Sequence, residues 1–238
     1  MKYALVTGCD HGVGLSLARL LAERGYRVAA CRLDERETQI DALAAEYPER
    51  ISVFPADIGR DESVRALCEA VERVFPCLDL VINCAGILGD MEPGPDAKLD
   101  YDRMLRVYNV NALGTLRVST GLLPLLRRGQ ERTVVNISSE AGSIGDCFRT
   151  GWFGYCMSKA ANNMQGALLH NTLRQEGGRV IQIHPGHVAT YMRGHLDAEA
   201  PLTPEESARQ VLSVVLDTPR PDRERPWFLD PQGKELPW

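Results

Sequence analysis

The feature that most constrains this chain is an alternation: short apolar runs take turns with longer segments whose apolar residues recur at helical spacing. "YALVTG" reads as a strand, and "VGLSLARLLAERG" as the helix after it, stopping at Gly25. The pattern repeats with "YRVAACR" and "TQIDALAAEY", then with "ISVFPAD" and "ESVRALCEAVERVF". "LDLVINCAG" is a fourth strand, one long helix crosses roughly 98–127, and "RTVVNISS" is a fifth strand. "FGYCMSKAANNMQGALLHNTLRQEGG" is the longest helical stretch, closed by two glycines. "RVIQIHPG" is a sixth strand, "TPEESARQVLSVVL" a last helix with a capping box at Thr203, and "PWFLD" offers a final strand. Strands that are apolar on both sides must be covered on both sides. Alternation with helices therefore implies an α/β fold with a doubly wound parallel sheet, whose ligands belong at the carboxyl ends of the strands.

Length and composition fit one such domain over 1–238: 238 residues, 44% hydrophobic and 25% charged, can bury a sizeable core. No linker or repeat divides it, and "LGDMEPGPDAK" is a surface loop too short for a boundary. A net charge of −5 argues against a nucleic-acid surface or attraction to anionic membrane. The densest basic run, "RPDRER" at Arg220–Arg225, is broken by acids and prolines and reads as a solvated loop. The seven cysteines (9, 31, 68, 77, 84, 147 and 156) form no C-x-x-C, and several sit in apolar runs, so a reducing cytoplasm is the expected setting. No apolar run reaches the ~18 residues of a membrane span.

The first strand ends in "TGCDHGVG", Thr7–Gly14. Gly8, Gly12 and Gly14 let the chain turn tightly and aim backbone N–H groups and the helix dipole at an anion, and a pyrophosphate suits that place. The Gly-Lys-Ser/Thr of a P-loop is missing, which argues against nucleotide triphosphate hydrolysis. Counting 20 residues on from Gly12, where an acid would take the 2′-hydroxyl of plain NAD, gives Arg32. A guanidinium suits a 2′-phosphate, and His11 offers a second contact, so NADP(H) is expected, with NAD(H) and a plain surface role for Arg32 left open. Arg32 also argues against a methyltransferase, which wants an acid there.

"FGYCMSKAA" sets Tyr155 four residues before Lys159, one turn along the same helix face. Alone, the spacing fits an ordinary helix face as well as an acid beside a cation. His184, His187 and His195 have no carboxylate or thiol at ligand spacing and read as polar residues near a substrate mouth, not as a metal site. Cys156 has no evident base partner and reads as packing.

Together, "TGCDHGVG", "NCAG" at Asn83–Gly86, "NVNALG" at Asn109–Gly114, "NISSEAG" at Asn136–Gly142, "YCMSK" and "HPGHVAT" at His184–Thr190 resemble the short-chain dehydrogenase/reductase family in order and spacing. "FLDPQGKELPW" is similar to the tail of its small carbonyl-reductase-like members. The resemblance implies a Rossmann-like domain, with a cofactor half of about 1–140 and a catalytic half of about 141–238. It implies Tyr155 as proton donor and Lys159 as the cation that lowers the phenol's pKa and binds the nicotinamide ribose. Ser139, three residues before Gly142, would hold the substrate oxygen, with Ser138 structural. Asn111, followed by Gly114, would hold a relay water, and Asn109 would be a helix-face residue. Cofactor contacts would come from Gly8, Asp10, His11, Gly12, Val13, Gly14, Arg32, Asp57, Ile58, Asn83, Ala85, Gly86, Tyr155, Lys159, Pro185, Gly186, Val188 and Thr190. Ser139, Trp152 and His187 would touch a carbonyl or hydroxyl substrate, with Arg149 and Phe153 on the same wall and a short flexible lid over Tyr191–Leu202. The family implies a homodimer or homotetramer. A non-catalytic NADP(H) sensor on the same fold is the competing expectation, and it would typically lack the tyrosine or the lysine.

Overall fold

Each predicted strand run enters one sheet. In a computed structural model of the chain, which describes residues 1–89, 91–219 and 222–238, the elements are β1 (Tyr3–Val6), α1 (Gly12–Glu23), β2 (Arg27–Arg32), α2 (Gln39–Glu46), β3 (Ile51–Pro55), α3 (Asp61–Val74) and β4 (Leu80–Asn83). They continue with α4 (Tyr101–Tyr108), α5 (Thr115–Gly121), α6 (Leu123–Arg128), β5 (Thr133–Ile137), α7 (Phe153–Leu173), β6 (Arg179–Ile183), α8 (Pro204–Leu212) and β7 (Trp227–Leu229). Asp90 of the Gly/Pro-rich loop and Arg220 and Pro221 of the basic run lie outside the described residues.

All strand pairs are parallel, in the order β3-β2-β1-β4-β5-β6-β7. The winding reverses between β1 and β4, which opens the crevice where such sheets bind ligands. Successive residues of a strand face opposite ways, so each strand feeds two cores. Val6, Ile82, Val135 and Ile183 pack with Leu17, Leu21, Val211 and Leu212 of α1 and α8. Leu5, Val81 and Val134 pack on the other side with Phe75, Val118, Leu122 and Leu169. These strands read as apolar throughout because neither side meets water.

The helices depart from expectation in two places. The single helix expected over 98–127 is broken. A π-helical turn occupies Asn109–Gly114, between α4 and α5, and a second break falls at Leu122. Pro124, in the first turn of α6, has no N–H and crowds the carbonyl four residues back, so the helix must restart there. α7 ends at Leu173, followed by a 3₁₀ turn (Arg174–Glu176) and Gly177 in the left-handed region at φ 76°. The capping box at Thr203 forms as expected: Glu206 N donates to Thr203 Oγ1 at 3.2 Å, and Thr203 N donates to Glu206 Oε2 at 2.8 Å.

A polar seam fixes α5 and α7 against the middle of the sheet. Asn83, Asn136 and Gln182 stand in register on neighbouring strands. Asn83 Nδ2 donates to Asn136 Oδ1 at 2.8 Å and to Ser119 Oγ at 2.9 Å, and Gln182 Nε2 donates to Asn162 O at 3.2 Å. A Cβ on Gly166 would lie 1.6 Å from Gln182 Nε2, so glycine here leaves the Gln182 amide its place against α7. No helix among the described residues is long and apolar enough to cross a membrane.

Candidate active site

The glycine turn after β1 is shaped by close approach. Gly8 sits at φ +73° with its Cα against Ala85, where a Cβ would come within 2.8 Å of the Ala85 Cα. Gly12 is also left-handed, at φ +64°, and a Cβ on Gly14 would lie 2.1 Å from the Gly8 carbonyl oxygen. His11, at the N-cap of α1, makes no side-chain cap, and the first turn carries no acid. The helix therefore presents unneutralised N–H groups to the crevice, the condition an anion needs. Thr7 Oγ1 ties this turn to β4 by accepting from Cys84 N at 3.0 Å and Ala85 N at 3.1 Å. Val13 is half-buried against the α1 core.

Asp10 accepts from the backbone N–H groups of Leu33 and Asp34, both at 2.8 Å, and so couples the turn to the end of β2. Arg32 stands there and donates to Asp41 of α2 at 2.5 Å. Asp57 Oδ1 accepts from Gly59 N at 2.9 Å, and the Ile58 carbonyl lies where a Cβ on Gly114 would meet it at 2.8 Å. On the far wall, Thr190 Cγ2 lies 3.6 Å from where a Gly12 Cβ would be, Gly186 has φ +87°, and Pro185 O accepts from Ser207 Oγ at 2.7 Å. Val188 bridges Leu202 and closes the base of the expected lid. That segment is bonded within itself: Asp197 accepts from His187 Nε2 at 2.9 Å, sits 3.3 Å from Arg193 Nε, and donates from its own N to Thr190 O at 3.1 Å. The His187 imidazole thus has its Nε2 held by Asp197, while the side chain stays about half exposed, at 52%.

The four residues singled out for chemistry lie together at the carboxyl ends of β4 and β5. Ser139, Tyr155, Lys159 and Asn111 are all buried. A Cβ on Gly86 would be 3.2 Å from Asn111 Oδ1 and 3.8 Å from Lys159 Nζ. Lys159 Nζ donates to Ile137 O at 2.9 Å and lies 5.6 Å from the Tyr155 ring centre. Asn111 occupies the π turn, a distortion often found at functional positions. Its amide accepts from Ile87 N and donates to Ile87 O, both at 2.8 Å, and donates to Ser158 Oγ at 3.0 Å. Asn109 instead donates to Gly59 O at 2.8 Å. Ser138 donates to Asn163 Oδ1 at 2.6 Å, a structural bond. Trp152, left-handed at φ 61°, packs edge-on to Tyr155 with ring centres 6.5 Å apart.

Sequence reasoning missed two carboxylates. Glu140 follows Ser139 directly and accepts from its hydroxyl at 2.7 Å, while also pairing with Arg149 and with His184 Nδ1 at 3.4 Å. Its only signal was one charge among the small residues of "SSEAG". Glu92, buried, takes the Phe153 N–H at the start of α7 in place of a cap, at 2.5 Å. Nothing in a Gly/Pro-rich loop announces a helix cap supplied from 61 residues away. Among the described residues, no three His, Cys, Asp or Glu side chains converge to hold a metal ion.

Burial governs the site's proton affinities. It pushes the Tyr155 phenol up, against the Ser139 hydrogen bond, with the Glu140 carboxylate adding to the rise and Arg149 opposing it. The expected lowering of this phenol is therefore not what the protein's own groups produce. Burial also pulls the Lys159 ammonium from 10.5 down to about 8, with Cys84 opposing. Burial alone would raise Glu140, but His184, the Ser139 hydroxyl and Arg149 outweigh it and hold that carboxyl below its ordinary value.

The chain's relatives share this arrangement's fold. The sequence model of the family described as short chain dehydrogenase matches residues 2–201, and the chain belongs to that family of oxidoreductases. It is 37% identical over 218 residues to 1-hydroxy-2-glutathionyl-2-methyl-3-butene dehydrogenase of Rhodococcus sp. (strain AD45), covering 90% of this chain and 91% of that one. Among solved structures it is similar to NADPH-bound carbonyl reductase from chicken fatty liver (28% identity, TM-score 0.88, 100% of this chain and 94% of that chain). It is equally similar to a short-chain dehydrogenase/reductase from Burkholderia multivorans with bound NADP (28% identity, TM-score 0.87, 100% and 99%).

The Lys159 shift has a defined consequence for stability. Its folded pKa of about 8 lies below 10.5, so between those values the unfolded chain binds more protons and stability rises with pH. Below the lower value the full cost of a buried ammonium is present, roughly 3 kcal/mol at ~1.4 kcal/mol per unit. Denaturant unfolding should show the parent gaining stability relative to Lys159→Met across this window; a pH-independent difference would contradict the shift.

Proposed function

We propose that the protein is an NADP(H)-dependent oxidoreductase that interconverts a carbonyl and a secondary alcohol. The observation that carries this reading is the buried convergence of Ser139, Tyr155, Lys159 and Asn111 beside Gly86, at the mouth of a crevice with an uncapped glycine turn. The uncapped start of α1 suits a pyrophosphate, Arg32 a 2′-phosphate, and the Pro185–Thr190 segment beside Gly12 a nicotinamide. On this division the cofactor half is about 1–140 and the catalytic half about 141–238. The bound nicotinamide supplies the hydride.

Tyr155 then gives its phenolic proton to the substrate oxygen in reduction and takes it back in oxidation. The Lys159 ammonium, 5.6 Å from the ring, favours the phenolate that remains and works against the burial that raises it. Ser139 directs the substrate oxygen towards the phenol, and Trp152 forms the apolar wall beside it. Asn111 fixes the Ile87 backbone and Ser158 next to the lysine, which keeps the relay's entrance in shape. The tyrosine and the lysine that a sensor would typically lack are both present and buried together, which favours the enzyme.

Pairing of two copies is supported by an exposed apolar stripe on α4 and α7: Tyr101, Leu105, Tyr108, Met157, Met164 and Leu168.

Tyr155→Phe should lose at least ~10²-fold in kcat, the scale of general-acid catalysis, while NADPH fluorescence titration still shows the coenzyme binding. Undiminished turnover would refute the assignment. Arg32→Ala should weaken NADPH binding about tenfold to a hundredfold, the worth of a charge-assisted bond, with NADH binding within about twofold of the parent. Equal losses for both coenzymes would remove the basis for the 2′-phosphate.

A further inference from the structure

The arginine that suits a 2′-phosphate already has a carboxylate on it. Arg32 Nη1, at the end of β2, donates to Oδ2 of Asp41 in the first turn of α2 at 2.5 Å. The two partners are unequally held. Arg32 belongs to the sheet: its Cα is paired with that of Pro55 on β3, its carbonyl accepts from Ala56 N at 2.8 Å, and its side chain is 18% exposed. Asp41, at 48%, is the more exposed of the two. Packing therefore places the guanidinium, and what Asp41 adds is charge. Asp34, two residues beyond Arg32, has a cation of its own: Arg36 donates from Nε to Oδ1 at 2.9 Å and from Nη2 to Oδ2 at 2.6 Å.

We propose that Asp41 is a specificity-determining residue for the coenzyme: its carboxylate opposes a phosphate on Arg32, and so holds the preference for NADP(H) over NAD(H) below what the arginine alone would give. This rests on the role given above to Arg32. A guanidinium has five N–H donors and Asp41 takes one of them, so a phosphate can join the pair without displacing the carboxylate. Two anions then share one cation. The phosphate brings about two negative charges. Acceptors on one guanidinium lie within the ~10 Å over which exposed charges still act on each other at ~0.1 M salt. The 2′-hydroxyl of NAD(H) carries no charge, so the repulsion falls on one coenzyme only. A residue that merely shaped α2 would act on both alike.

The test is a charge series at position 41, read by binding and not by turnover. NADPH and NADH are titrated by fluorescence into the parent, Asp41→Asn and Asp41→Lys at low ionic strength. Adenosine 2′,5′-bisphosphate, which carries the same phosphate without a nicotinamide, is titrated by calorimetry. Asp41→Asn keeps the shape of the side chain and removes its charge. The Kd for NADPH should fall about threefold to tenfold, with the bisphosphate following and NADH within about twofold of the parent. Asp41→Lys should tighten NADPH further. If Asp41→Asn does not fold, Asp41→Ala, with the better helix former, carries the same expectation.

Unchanged or weaker NADPH binding once the charge is removed would overturn the proposal. So would equal shifts for NADPH and NADH, the mark of a structural effect on α2. Arg32→Ala serves as the separate control. If it weakens both coenzymes equally, the 2′-phosphate reading fails and the proposal with it. If it weakens NADPH alone and the series at position 41 is flat, only the role of Asp41 fails.

Discussion

The site depends on one contact between backbones. The 3₁₀ turn at Glu140–Gly142, which follows β5, lies directly on α7, and a Cβ on Gly142 would fall 2.7 Å from the Lys159 carbonyl carbon and 3.0 Å from Ala160 N. With a hydrogen atom there, the end of β5 and the helix bearing Tyr155 and Lys159 close onto each other. Lys159 then reaches the Ile137 carbonyl, and Ser139 comes within hydrogen-bonding reach of the phenol. A larger side chain at this point would separate the serine from the tyrosine before any question of proton affinity arose. The buried Asn83–Asn136–Gln182 seam, facing Gly166, holds the same helix further along, so α7 is located at two points.

Electrostatically, the protein alone sets the pair up under tension. Burial disfavours both phenolate and ammonium, raising Tyr155 and lowering Lys159, so neither group is charged as readily as in water. A buried pair of this kind is costly to keep. Glu140 and Arg149 add opposing influences on the same phenol, and this mixed-sign surround is a property of this chain's own residues.

Much of this was legible in the sequence because the motifs encode backbone needs. Gly8, Gly12 and Gly14 mark a turn that only glycine can make, and strand runs apolar on both sides mark a covered parallel sheet. The fold followed from these, whereas the grouping of Ser139, Tyr155, Lys159 and Asn111 was expected only through the resemblance to the short-chain dehydrogenase/reductase family. The interruptions of the long helix were less visible: Pro124 signals one, but nothing in the sequence announces the π turn at Asn109–Gly114. Glu140 and Glu92 were invisible as site residues for a related reason. Their partners, Arg149, His184 and the start of α7, come from other segments, and a single sequence does not reveal who meets a lone carboxylate. His187 was read from its neighbourhood alone, and its bond to Asp197, ten residues on, was not legible there.

The most direct test of the account follows the transferred atom. The protein is incubated with a panel of aldehydes and ketones and NADPH deuterated at the transferable position of the nicotinamide ring, and the alcohols are read by mass spectrometry and NMR. The account predicts one deuterium on the carbinol carbon, with a single handedness at that carbon. Alcohol without the label, or no alcohol from any carbonyl while NADPH binds, would contradict it.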